Sequence, residues 1–167
     1  MLLQDTSEII SGKISTLFIL SVLEDSKNNI WVATVNGLFQ LRKDGEKFEP
    51  ALPGEDVTNC LYEDKSGHLW LGIHKKGLLE PDAETGKTIQ HPIADGLPGN
   101  QVLSIVGDEM DNLWLATDVG LCRFNIKDNT LRVFNTGEGI MVGGSIKNSV
   151  YKGDNGEFFF GGPNGVV

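Results

Sequence analysis

Residues 22–38 read Val-Leu-Glu-Asp-Ser-Lys-Asn-Asn-Ile-Trp-Val-Ala-Thr-Val-Asn-Gly-Leu. Val22 and Leu23 open a strand. Asp25 to Asn29 form a tight turn in which the Asp25 carboxylate is placed to accept backbone N–H groups. Ile30 to Thr34 alternate as a half-buried strand does. Gly37 reverses the chain, Leu38 to Leu41 form a third strand, Asp44-Gly45 turns again, and Lys47-Phe48 begins a fourth.

The plan recurs in residues 61–78, 105–121 and 150–166. The aromatic positions are Trp31, Trp70, Trp114 and Phe159, at steps of 70−31 = 39, 114−70 = 44 and 159−114 = 45. Asp25, Asp64 and Asp108 each stand six residues before a Trp, whereas the fourth copy has Gly153 there and Asp154 next. Asn28, Gly67, Asp111 and Gly156 stand three before the aromatic, and all tolerate a left-handed turn. Gly37, Gly120 and Gly165 follow it by six, and Gly77 by seven, so the second copy has a longer turn.

Four short strands per unit of roughly 40–45 residues fit a propeller blade. No stretch keeps a capped 3.6 period, which excludes a helical solenoid. The expected fold is therefore all-β: propeller blades, each a four-stranded antiparallel sheet. Residues 1–20 read as a lead-in or the outer strand of a preceding blade. Blades follow at 21–60, 61–104 and 105–149, with a partial last repeat at 150–167. The three tryptophans hold one repeat position and are expected to fill the layer between blades. Four copies make an open arc, a small ring or half of a dimeric ring. An open arc would expose strand edges.

The 167 residues carry a formal charge of −9, with acidic groups scattered and no basic stripe, which argues against a nucleic-acid partner. The apolar run from Ile14 to Leu23 is too short to cross a membrane. Asp5 and Glu8 precede it, so it does not read as an export signal. Cys60 and Cys122 read as free, half-buried thiols. His68, His74 and His91 have no partner at metal or triad spacing and read as solvated loop residues. The turns at Asp108–Asn112 and Asp154–Gly156 do not match a calcium loop. No catalytic residue, metal ligand or cofactor is expected. A sialidase reading is weak. Gly67 and Trp70 match the spacing of the sialidase turn motif, but Asp64 falls one place early, and Arg42 and Arg132 read as solvated.

Asp64, Gly67, Leu69, Trp70, Leu71, Gly72, Gly77 and Leu78 follow an Asp-x-x-Gly-Asn-hydrophobic-Trp pattern with a following Gly-Leu. Asp25, Asn29, Ile30, Trp31, Thr34, Gly37 and Leu38 follow it, as do Asp108, Asn112, Leu113, Trp114, Thr117, Gly120 and Leu121. This pattern resembles the two-component regulator propeller repeat. Ala33 and Ala116 depart from its Gly, and Ile73 from its Thr. Residues 95–102 are similar to the family's inter-blade link, and residues 156–165 to its last repeat. The resemblance implies a fragment of a larger propeller, from the periplasmic sensor of a membrane-anchored hybrid histidine kinase of the Bacteroides type. It implies an oligosaccharide ligand, no catalysis within this chain, and no membrane contact by this segment. Other blades or a second copy of the chain are the expected partners. The alternative is a free-standing interaction module. By position on turns and link, Asn36, Lys75, Asp95, Asn100 and Asp118 are the candidate ligand-binding residues.

Overall fold

The computed structural model describes residues 18–52, 56–81, 87–91, 96–99, 101–134, 138, 147–163 and 165–166. Among these, every regular element is a strand, and the strands form four antiparallel sheets. Blade 1 is β1 (Ile19–Glu24), β2 (Ile30–Thr34), β3 (Gly37–Leu41) and β4 (Glu49–Pro50). Blade 2 is β5 (Thr58–Glu63), β6 (Leu69–Ile73), β7 (Gly77–Pro81) and β8 (Thr88–Gln90). Blade 3 is β9 (Val102–Gly107), β10 (Asn112–Thr117), β11 (Leu121–Asn125) and β12 (Thr130–Phe134). Blade 4 is β13 (Val150–Lys152), β14 (Phe158–Gly162) and β15 (Gly165–Val166). Neighbouring strands are sequential in each sheet, and the first strands pack in succession, β1 on β5, β5 on β9 and β9 on β13. The result is a four-bladed β-propeller arrangement.

The repeated Asp builds the first turn of each blade. The Asp25 carboxylate accepts the N–H groups of Lys27 (2.9 Å) and Asn29 (2.8 Å) and the indole N–H of Trp31 (2.8 Å). Asp64 holds Ser66, His68 and Trp70 in the same way, and Asp108 holds Met110, Asn112 and Trp114. Burial pushes the Asp25 and Asp108 carboxyls up. Their hydrogen bonds outweigh burial and hold both below the usual carboxylate value. The residue three before each aromatic is left-handed, with φ of 64° at Asn28, 81° at Gly67, 57° at Asp111 and 82° at Gly156. The turn position is thus set by geometry, and Asn, Asp and Gly all satisfy it.

Each seam joins two rows of side chains. The row facing the next blade carries the Trp: Leu23–Trp31–Gln40, Tyr62–Trp70–Glu80 and Val106–Trp114–Arg123 in register, with Tyr151–Phe159 in blade 4. The row facing the previous blade is aliphatic: Leu61–Leu71–Leu79 in blade 2 and Ile105–Leu115–Cys122 in blade 3. In the central seams the aliphatic row is buried throughout, whereas in the Trp row Trp70 and Val106 are buried and the rest are partly covered. Cys60 and Cys122 are fully buried and free, not half-buried, and burial pushes both thiols up to about 12. Close packing against β9 and the neighbouring blade leaves no solvent path to either sulfur.

The family's small residue after the Trp faces the first strand at very short range. A Cβ on Gly72 would lie 2.4 Å from the Cys60 Sγ and 2.8 Å from the Val102 carbonyl. The corresponding pairs are Ser21–Ala33 and Ser104–Ala116, so a smaller hydroxyl makes room for the methyl. Gly72→Ala is expected to cost about 2 kcal/mol by overpacking. In the Cys60→Ser background part of that cost should vanish, about 1 kcal/mol of coupling. Urea unfolding of the four variants measures it, and strict additivity would contradict the contact.

Polar contacts lace the blades at the end that carries the Asp turns. Glu63 accepts from the N–H and hydroxyl of Ser26, each at 2.7 Å. Glu109 is clamped by Lys65 and Lys152, both at 2.6 Å, which hold its carboxyl down to about 2. Near the axis, Asn148 bonds Leu20, Asn59 and Leu103 through their carbonyls, so it touches three blades. Each terminal face exposes large hydrophobic side chains among the described residues. Val22 is 61% exposed on the face that blade 1 would turn to a preceding blade. Tyr151 is 64% and Phe159 42% exposed on the face that blade 4 would turn to a following one.

Candidate ligand groove

The sequence-derived candidates Asn36, Lys75 and Asp118 occupy the same turn of blades 1, 2 and 3, between the second and third strands. Asn36 and Lys75 are exposed, and Lys75 is left-handed at φ 62°. Asp118 is partly covered, with one carboxylate oxygen buried and unpartnered against Gly99 of the inter-blade link. Asp95 and Asn100 lie outside the described residues. These turns are exposed or partly covered, and none of the clefts formed by the described residues gathers the three side chains.

A cleft forms elsewhere, at the seam between blades 1 and 2, and its origin is a packing difference. In the other seams two rings cover the Trp. Trp70 is fully buried beneath His91, at 4.8 Å between ring centres, and Phe124, at 6.1 Å. Trp114 stacks on Phe134 at 5.2 Å and meets Phe158 at 5.9 Å. His91 and Phe134 come from the link side of their own blades. The residue in that place on blade 1 is Ala51, whose N–H bonds the Leu38 carbonyl as the His91 N–H bonds that of Leu78. Facing Trp31 across the seam, Pro81 stands in blade 2 where Phe124 stands in blade 3. Leu69 likewise holds the place of Phe158. Among the described residues no aromatic ring stacks on Trp31.

The space left by the missing rings is a groove of about 670 Å³, in the size range of small-molecule sites. Trp31, Ala51 and Pro81 are among its apolar lining, and Gln40, Arg42 and His68 among its polar lining. Gln40 lies beside Trp31 in register, and Arg42, one residue past the end of β3, also lines the groove. Neither side chain has a partner among the described residues. Of the lining carboxylates, Asp25 serves its turn, Glu63 holds Ser26 and Glu80 faces two histidines. Lys27, Arg42 and Glu49 have no side-chain partner among the described residues, and the lining as a whole sets four carboxylates against two cations.

One histidine differs from the sequence expectation. His91 is 15% exposed, not a solvated loop residue, and its Nε2 lies 3.1 Å from the Glu80 carboxylate. The His91 N–H bonds the Leu78 carbonyl of β7, which carries the ring onto Trp70. His68 is more open but also faces Glu80, at 3.7 Å, and Asp64, at 3.6 Å. Among the described residues no three His, Cys, Asp or Glu side chains are grouped to hold a metal ion.

The fold and its repeated Asp–Trp turn define a β-propeller built from short repeats. The sequence model of the two-component regulator propeller matches residues 13–36, 51–75 and 96–119. The curated relative Histidine kinase P4 of Formosa agariphila is 29% identical over 170 residues, covering 94% of this chain and 12% of its own length. The extracellular domain of a hybrid two-component system from B. thetaiotaomicron superposes with a TM-score of 0.76 at 23% identity, over 89% of this chain and 21% of that one. Virginiamycin B lyase from Staphylococcus aureus superposes at 0.66 with 15% identity, over 93% of this chain and 56% of that one. The structural likenesses establish the fold alone, which also carries a lyase, so fold does not decide chemistry here. The chain spans about an eighth of the curated relative and a fifth of the two-component domain.

Proposed function

We propose that this chain is a section of the periplasmic sensor propeller of a hybrid two-component histidine kinase. In this reading it contributes to oligosaccharide recognition and does no chemistry itself. The kinase reaction belongs to another part of the longer protein. The observation that carries the proposal is the match of three repeats to a two-component propeller family. A kinase relative that aligns over almost the whole chain supports it. The test is calorimetric titration of the chain against a panel of neutral and acidic plant and host oligosaccharides. Saturable binding to at least one member is expected, and no binding across the panel would overturn the ligand-binding role.

The terminal faces fit this reading. Tyr151–Phe159 continue the row that each blade turns to the next, and Val22–Val32–Phe39 the row that receives it. In the longer protein, neighbouring blades would cover both. The chain on its own should instead associate head to tail, since the two faces complement each other. Sedimentation at rising concentration is expected to show this association, and Val22→Lys with Tyr151→Lys should abolish it. A parent chain that stays monomeric at high concentration would contradict the complementarity of the two faces.

A further inference from the structure

We propose that the groove over Trp31 is a saccharide subsite, and that it takes a pyranose unit bearing a carboxylate or sulfate. This rests on the oligosaccharide reading above and assigns it a place. Three seams share one design, and two of them fill the space over the Trp with rings. Only the first puts Ala51 and Pro81 there, and the indole is left lining an open groove. An indole face matches the apolar C–H face of a pyranose and keeps its rigid shape on binding. The indole N–H is already committed to Asp25, so the ring is fixed before a ligand arrives.

The polar lining supplies what the sugar edge needs. The Gln40 carboxamide can donate to and accept from ring hydroxyls. The Arg42 guanidinium presents parallel N–H donors suited to a planar carboxylate or a sulfate face. Both side chains lack partners among the described residues, so ligand binding breaks no existing contact. Lys27 is a second unpartnered cation in a lining that also holds Asp25, Glu49, Glu63 and Glu80, on a chain whose overall charge is −9. Those negative charges oppose acidic ligands, and selection of one therefore depends on direct pairing with Arg42 and Lys27.

The test uses the 167-residue chain with tetragalacturonic acid, a chondroitin sulfate tetrasaccharide and cellotetraose, read by calorimetry and tryptophan fluorescence. At least one acidic probe is expected to bind at least tenfold more tightly than cellotetraose and to change the emission of Trp31. Ala51→Phe restores the ring that Phe134 and His91 supply in the other seams. It should lower affinity for the acidic probe at least tenfold while keeping or raising the thermal midpoint. Arg42→Gln should remove the preference for acidic over neutral probe. Binding of an acidic probe unaffected by Ala51→Phe would overturn the groove and leave the oligosaccharide reading standing. Equal or tighter binding of cellotetraose, lost in Ala51→Phe, would overturn the acidic class alone. Failure of all three probes would overturn the subsite, and the broader panel then decides the oligosaccharide reading separately.

Discussion

Replacing Trp70 with alanine is expected to cost about 4 kcal/mol, the upper range for a large buried ring. Trp70 is fully buried and packs on His91 and Phe124, so its removal opens a cavity in the best-filled seam. It also strips the Asp64 carboxylate of an indole N–H at 2.9 Å. A domain of this size has about 5–15 kcal/mol in total, so the variant should lose roughly a quarter or more of its stability. Trp70→Phe separates the two effects. It keeps most of the ring and loses the hydrogen bond, and should cost about 2 kcal/mol. Trp31→Ala should cost less than Trp70→Ala, because one side of that ring faces a groove. Denaturant unfolding followed by circular dichroism measures all three. Equal losses at positions 31 and 70 would mean that the two seams are filled alike.

Asp108→Ala is the second large effect, expected at about 3 kcal/mol. The carboxylate holds the N–H groups of Met110 and Asn112, the Asn112 amide and the Trp114 indole, at 2.8 to 3.1 Å. Asn112 is almost fully buried, so its donors would lose their partner away from water. The effect has a pH signature with a definite sign. The folded-state pKa of Asp108 lies below its ordinary value of 3.8, despite burial that pushes it up, because its hydrogen bonds favour the ionised form. The ionised form's contribution is therefore fully present above the unfolded pKa and is lost as pH falls through the folded one. The gap between the parent chain and Asp108→Ala should be full at neutral pH and narrow as pH falls through the ordinary carboxylate value of 3.8 and below it. Asp25 is depressed by the same arrangement, so Asp25→Ala should narrow in the same window. A gap constant down to strongly acid pH would show that the carboxylate charge plays no part.

The blade plan was legible because its determinants are local. Asp25, Asp64 and Asp108 each act within six residues, and the left-handed positions at Asn28, Gly67 and Asp111 are three residues from the Trp. A single pass along the chain finds them. The groove was not legible for the opposite reason. It depends on what covers Trp31, and the covering residues come from links and from the next blade, 20 to 50 residues away in sequence. Ala51 and His91 hold equivalent places only after the longer turn at Gly77 is allowed for. His91 precedes a proline in a link of irregular length, which reads as solvated until the fold carries the ring onto Trp70. The turns at Asn36, Lys75 and Asp118 were visible as turns, but turn chemistry carries no information about concavity. Comparing Trp31, Trp70 and Trp114 cover by cover was the signal in the sequence that could have found the site.

The most direct measurement is hydroxyl-radical footprinting of the chain with and without the acidic tetrasaccharide that it binds. In the free chain Trp31 should oxidise much faster than the buried Trp70. With ligand, the peptide carrying Trp31 and the one carrying Gln40 and Arg42 should be protected together, while the turns at Asn36, Lys75 and Asp118 stay unchanged. Protection of those turns with Trp31 unaltered, or a free chain in which Trp31 is as protected as Trp70, would contradict a ligand seat at the first seam.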